Sequence, residues 1–131
     1  MKFFKKLSRS VKGRVAIITG AGSGMGEATA KVFAAEGVKV VATDVDQKSV
    51  DRVSEEINNS KGECTAFKLD VTDKSDIDNC LKQTVDIYGS LDFIINNAGI
   101  ASVTSIEDEN YEDYWDDTLN VVLTGQIRLI R

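Results

Sequence analysis

The sequence contains no histidine and no proline, and only two cysteines. Without histidine the chain lacks the commonest metal ligand and general base, which argues against a metal enzyme and against a Ser-His-Asp hydrolase. Cys64 and Cys80 form no C-x-x-C and suggest no disulfide framework. One lies in a strand pattern and the other in a helix pattern, as small core residues do, and the expected setting is a reducing cytoplasm. No proline-rich linker, low-complexity tract or internal repeat divides the chain. No run is long and apolar enough to span a bilayer.

What is present is ordinary in bulk. The 131 residues suffice for one domain with a single core, and 42% hydrophobic and 28% charged residues are usual for a soluble globular protein. The net charge of −5 is unevenly placed. Residues 1–14 carry Lys2, Lys5, Lys6, Arg9, Lys12 and Arg14 with no acid, while the remainder is strongly acidic. Nucleic-acid binding by the domain is therefore disfavoured. Residues 1–12 read as a basic arm, packed or frayed, in preference to a membrane contact through Phe3, Phe4 and Leu7; residues 13–131 read as the domain.

Apolar runs alternate with helical periods along that domain. Strands are expected at Val15–Thr19, Val38–Thr43, Cys64–Leu69 and Leu91–Asn96. Helices are expected at Gly24–Glu36 with Ala28, Val32 and Phe33 inward, at Gln47–Lys61 with Val50, Val53 and Ile57 inward, and at Asp73–Tyr88 with Ile77, Cys80, Leu81, Val85 and Tyr88 on one stripe. Gly37, Gly62 and Gly89 stop them in turn. A last helix runs from about Asn110, with Trp115, Leu119, Val122, Leu123 and Ile130 roughly on one side. Four strand–helix units predict an α/β fold: a Rossmann-like, doubly wound parallel sheet of four strands in the order 3-2-1-4, with flanking helices and an incomplete second half. Because Ile127–Arg131 reads as mid-helix and the fourth strand as an uncovered edge, the chain is expected to be the N-terminal half of a longer protein.

The first strand ends in Thr19-Gly20-Ala21-Gly22-Ser23-Gly24-Met25-Gly26 and then opens a helix. Such a turn suits a phosphate: glycines let the backbone approach the ligand, and the free N–H groups and positive end of the helix face the anion. The spacing is Gly-x-x-x-Gly-x-Gly. It is neither Gly-x-Gly-x-x-Gly nor a P-loop, because Met25 and Glu27 stand where a last glycine would be and no Gly-Lys-Ser/Thr follows. Asp44 closes the second strand, where a carboxylate can accept both ribose hydroxyls of an adenosine and repel a 2′-phosphate. No Arg or Lys occupies the turn, so NAD is favoured over NADP, with Lys48 the nearby cation. Asp70-Val71 closes the third strand, either to hold an adenine edge or to cap the helix that starts near Asp73. Asn96-Asn97-Ala98-Gly99 closes the fourth; small residues let backbone lie against a nucleoside, and an asparagine amide can bridge strands, though alone the segment also fits a turn. The acids Glu107, Asp108, Glu109, Glu112, Asp113, Asp116 and Asp117 read as a solvated face.

In this order the motifs resemble the classical short-chain dehydrogenase/reductase family, over residues from about 13 to 131. The resemblance implies that Gly20, Ser23, Gly24, Met25 and Gly26 form a pyrophosphate turn. It implies that Asp44 selects NAD, that Asp70 and Val71 contact adenine, and that Asn97, Ala98 and Gly99 contact the ribose side. It further implies hydride transfer with a small alcohol or carbonyl substrate, and a homo-oligomer at full length. The family's catalytic pair is Tyr-x-x-x-Lys, assisted by a serine; a nearby ammonium lowers the phenol's pKa. Here Tyr88, Tyr111 and Tyr114 are followed four residues on by Asp92, Trp115 and Thr118, so no catalytic residue is assigned and the chain alone is expected to be inactive. The family's Val-Asn-Leu-x-Gly segment has Val122 where asparagine stands three residues before Gly125. Asn120 lies about 200° away round a helix and does not replace it. The alternative to an oxidoreductase half is a module that holds a dinucleotide without chemistry, or an inactive fragment.

Overall fold

Four short apolar segments pair side by side in one direction. In the computed structural model, which describes residues 9–101 and 104–131, they form a parallel sheet of order β3-β2-β1-β4. The strands are β1 (Val15–Thr19), β2 (Lys39–Asp44), β3 (Glu63–Lys68) and β4 (Phe93–Ile95). Ile17 pairs with Val41 on one side and Ile94 on the other, and Val41 pairs with Thr65. Both faces of β1 are covered, which is why Val15–Ile18 is apolar without alternation. Phe3, Phe4 and Leu7 lie outside the described residues.

The helices are α1 (Gly24–Ala35), α2 (Gln47–Asn59), α3 (Lys74–Tyr88), α4 (Tyr111–Leu119) and α5 (Gln126–Ile130). Alternate strand residues divide the core in two. Ala16, Ile18, Val40, Ala42 and Cys64 meet Ala30 and Ala34 of α1 and Val50, Val53 and Ile57 of α2. Ile17 and Val41 meet Ile77 and Cys80 of α3 and Leu129 of α5 on the opposite face. Asp46 caps α2 through the Lys48 N–H, and Asp73 caps α3 through the N–H groups of Ser75 and Asp76. Among the described residues no helix is long and apolar enough to cross a membrane.

The helix faces depart from the sequence expectation in three places. In α1 the buried residues are Gly26, Ala30 and Ala34, while Ala28 and Val32 are exposed. The helix approaches the sheet closely, and only small side chains fit beneath it. In α3 Thr84 is buried where Val85 was expected, because the Thr84 hydroxyl donates to the Cys80 carbonyl at 2.8 Å and needs no water. Between α4 and α5 the chain makes a π-type stretch over Asn120–Gly125. That wider turn changes the phase of the helix, so Gly125 and Leu129 face the core while Trp115, Leu123 and Ile130 are exposed. A Cβ on Gly125 would lie 2.5 Å from the Val71 carbonyl oxygen, so this stretch sits directly on the segment after β3.

The end of α2 also differs. The left-handed residue is Lys61 (φ 66°), one before the expected glycine. Gly62 is needed for space: a Cβ there would be 2.6 Å from Ile57 Cγ2. Gly37 and Gly89 take the positive φ expected after α1 and α3.

Candidate functional site

The C-terminal ends of all four strands converge on the glycine turn. Its shape is set first by sterics. Gly20 has φ +64°, and a Cβ on it would lie 2.9 Å from Ala98 Cα. A Cβ on Gly26 would lie 2.1 Å from the Gly20 carbonyl oxygen, so α1 starts in direct contact with the bend behind it. Gly22 is a third such position, one that spacing did not single out. A Cβ there would fall 2.0 Å from Ser49 Oγ and 3.0 Å from Asp44 Oδ2.

Hydrogen bonds then hold the bend from three sides. The Ala21 N–H donates to the Thr43 carbonyl at 2.9 Å, and the Gly22 N–H donates to Asp44 Oδ2 at 3.1 Å. From β4's end, the Asn97 side-chain amide donates to the carbonyls of Thr19 (3.0 Å) and Gly20 (3.2 Å). Thr19 Oγ1 accepts the N–H groups of Asn97 and Ala98 at 3.0 and 2.9 Å, which moulds the loop after β4 onto the end of β1. From α2, Arg52 Nη2 donates to the Gly22 carbonyl at 3.0 Å.

Gly20, Asp44, Val45, Leu69, Asp70, Val71, Ala98, Gly99, Ile100 and Val121 line one cavity of about 120 Å³ beside the bend. Six of the eleven residues predicted for the site are in this lining: Gly20, Asp44, Asp70, Val71, Ala98 and Gly99. Ser23, Gly24 and Met25 are exposed at the start of α1, and Ser23 is its extended N-cap residue with no side-chain capping bond. The first-turn N–H groups of such a helix have no partner within it. Asn97 is drawn in as a strap. A larger cavity of about 500 Å³ lies between the C-terminal ends of α1 and α2, lined by Lys31, Ala34, Ile57 and Gly62 among others, away from the bend.

The charges around the crevice are mostly engaged. Asp44 Oδ1 accepts the Asp46 N–H at 3.2 Å. Asp70 Oδ1 accepts both the N–H and the hydroxyl of Thr72, at 2.8 and 2.7 Å. Asp70 therefore closes a local turn, and the cap of α3 is Asp73, whose carboxyl is held below the usual range by the Ser75 hydroxyl and two backbone N–H groups. Lys48 is exposed on the first turn of α2. Asn120 is exposed, while Val122 is half-buried with its Cγ1 3.7 Å from where a Gly99 Cβ would be. Among the described residues no cluster could hold a metal ion.

Sequence reasoning did not single out Gly22, Ser49, Arg52 or the Thr19 hydroxyl. Thr19 and Gly22 lie inside the motif, so their place in it was the available signal. Ser49 and Arg52 come from a different helix, and no local pattern points to them.

The profile described as short chain dehydrogenase matches residues 14–131. An uncharacterized oxidoreductase of Thermotoga maritima is 40% identical over 117 residues, covering 88% of this chain and 44% of its own. The 3-oxoacyl-(acyl-carrier-protein) reductase of the same organism is 37% identical over 115 residues, 88% of this chain and 46% of its own. The crystal structure of a 3-ketoacyl-(acyl-carrier-protein) reductase from Brucella melitensis, complexed with NADH, superposes with a TM-score of 0.85 at 34% identity. That match covers 93% of this chain and 49% of the other. The chain thus spans about half the length of the relatives it matches.

Proposed function

This chain belongs to the short chain dehydrogenase family, and from that premise we propose that it is the NAD-holding half of an alcohol or carbonyl oxidoreductase. The observation that carries the reading is the cradle at the end of β1. A Cβ at Gly20, Gly22 or Gly26 has no room, the N–H groups of Ser23, Gly24 and Met25 open α1, and Asp44 lies beside them in the crevice wall. This donor set fits a diphosphate and a ribose diol: backbone N–H groups meet the anion, and a carboxylate accepts hydroxyl protons.

In this reading Gly20 and Gly26 keep the bend open, and Ser23, Gly24 and Met25 present N–H groups to the diphosphate. Asp44 orients the adenosine ribose and repels a 2′-phosphate. Asp70 and Val71 flank the adenine, while Asn97, Ala98 and Gly99 flank the second ribose. Bound there, the nicotinamide supplies or accepts a hydride. The Tyr-x-x-x-Lys pair of the family is not among the 131 residues, so the chain alone binds without turnover. A second reading, a dinucleotide-holding module without chemistry, is favoured by Val122 in the place of the family asparagine.

Calorimetric titration of the chain with NADH and NADPH, run beside a hydride-transfer assay, tests the proposal. Saturable NADH binding, weaker NADPH binding and no turnover are expected. Absence of binding overturns the cofactor assignment, and turnover overturns the catalytic one.

A further inference from the structure

Arg52 makes contacts that the cofactor reading does not use. Its guanidinium donates to Glu27 Oε1 (3.1 Å) and Oε2 (2.8 Å) on α1 and to Glu56 Oε1 (2.8 Å) one turn along α2. Lys31 on α1 pairs with the same two acids, at 2.6 Å each. Glu27, Arg52, Glu56 and Lys31 therefore form a closed ring of alternating charge, two members from each helix. Pairs as exposed as these contribute little to stability singly. The ring holds the Glu27 carboxyl down to about 2, chiefly through its bonds from Arg52 and then Lys31.

What sets Arg52 apart is its additional bond, Nη2 to the Gly22 carbonyl at 3.0 Å. A trans peptide is planar, with its C=O and N–H pointing in opposite directions. Fixing the Gly22 carbonyl toward α2 therefore fixes the Ser23 N–H away from α2. The preceding peptide is fixed too, since the Gly22 N–H is held by Asp44 Oδ2 at 3.1 Å. Two successive peptide planes of the bend are thus clamped from α2 and from the end of β2. Glu27 and Glu56 fix the guanidinium itself, so that it has little rotamer entropy left to lose when it bonds the Gly22 carbonyl.

We propose that Arg52 is a positioning residue of the anion-binding turn: held by Glu27 and Glu56, it sets the Gly22–Ser23 peptide plane so that the Ser23 N–H is preorganised for a diphosphate. This rests on the cofactor reading for the identity of the anion, but not for the conformation of the peptide.

The test compares wild type, Arg52→Gln, Arg52→Lys and Lys31→Gln in the 131-residue chain. One readout is the affinity for NADH and ADP-ribose, which carry a diphosphate, and for adenosine, which does not. The other is the Ser23 amide resonance of the ligand-free protein. R52Q is expected to weaken NADH and ADP-ribose about tenfold, to leave adenosine unchanged and to shift or broaden the Ser23 amide. R52K is expected to fall between R52Q and wild type, because an ammonium lacks the fork that reaches both acids and the carbonyl. K31Q breaks the ring but keeps the Gly22 bond, and is expected to behave as wild type. An unmoved Ser23 amide in R52Q, or an equal loss for adenosine and NADH, overturns the assignment. Should wild type bind none of the three ligands, the cofactor reading fails, and the Ser23 amide still decides the positioning role.

Discussion

The Asp44 carboxylate accepts the Gly22 N–H at 3.1 Å and so ties the end of β2 to the bend after β1. One side chain serves both the shape of the cradle and, in the proposed function, the ribose. Replacing Asp44 with alanine should therefore act on two levels. Loss of a charge-assisted bond to a backbone N–H predicts about 1.5–3 kcal/mol lower stability in urea titration. NADH affinity should fall about tenfold, and the preference for NADH over NADPH should narrow. Unchanged preference in a folded D44A protein would remove Asp44 from cofactor selection.

The glycines of the turn should differ in their tolerance of a methyl group. Gly24 has φ +55° with open space around its Cβ position, whereas a Cβ on Gly26 would be 2.1 Å from a backbone oxygen. Gly24→Ala should cost about 1–2 kcal/mol, the strain of a left-handed L-residue. Gly26→Ala should cost more, because α1 itself must shift. Chemical denaturation of the two variants measures the order, and a reversed order would refute the close packing of α1 on the bend.

How far these features could be read beforehand depends on their range along the chain. Strand order and helix stops were legible because Gly20, Gly37 and Gly89 punctuate apolar runs of the right length. Gly20, Asp44, Asp70, Val71, Ala98 and Gly99 of the crevice lining were legible because each lies at or just after the end of its strand, whereas Val121 comes from the last helical segment. The buried face of α1 was not: Val32 outranks Ala30 and Ala34 in hydrophobicity, yet the closeness forced at Gly26 selects small residues. Nor was the phase of the last helix: the π-type stretch at Asn120–Gly125 brings Gly125 against Val71, and no local periodicity announces it. Arg52 acts through a bond spanning 30 residues, and composition carries no trace of such a pairing; the bridging asparagine amide after β4 was expected from its segment, and Asn97 supplies it.

Both thiols should be inert in the native protein. Cys64 and Cys80 are free and buried, and burial pushes the Cys80 thiol up to about 11 and Cys64 above its usual value. At pH 8 iodoacetamide should modify neither without denaturant and both in urea, as mass spectrometry would show. Rapid alkylation of the native chain would contradict the packing of α3 and β3.

The ion-pair ring predicts an acid limb of stability. Glu27 is held near 2 in the folded protein, against an ordinary 4.5. Its contribution is therefore present above about pH 4.5 and is lost as the pH falls toward 2. Glu27→Gln should lower stability by about 1–2 kcal/mol at pH 7, discounted for the exposure of its partners, and should converge with wild type at low pH. Urea midpoints measured between pH 2 and 7 give the comparison. A constant difference across that range would mean that charge is not the cause.

The central claim is that a dinucleotide sits against the bend after β1. Amide chemical-shift mapping of the 131-residue chain during an NADH titration tests this most directly. The largest shifts are expected at Ser23, Gly24 and Met25, with Asp44, Val71 and Ala98 also moving and Ser60 and Gly62 beside the α1–α2 cavity still. Shifts centred on Ser60 and Gly62, or none at Ser23–Met25 at saturating NADH, would contradict it.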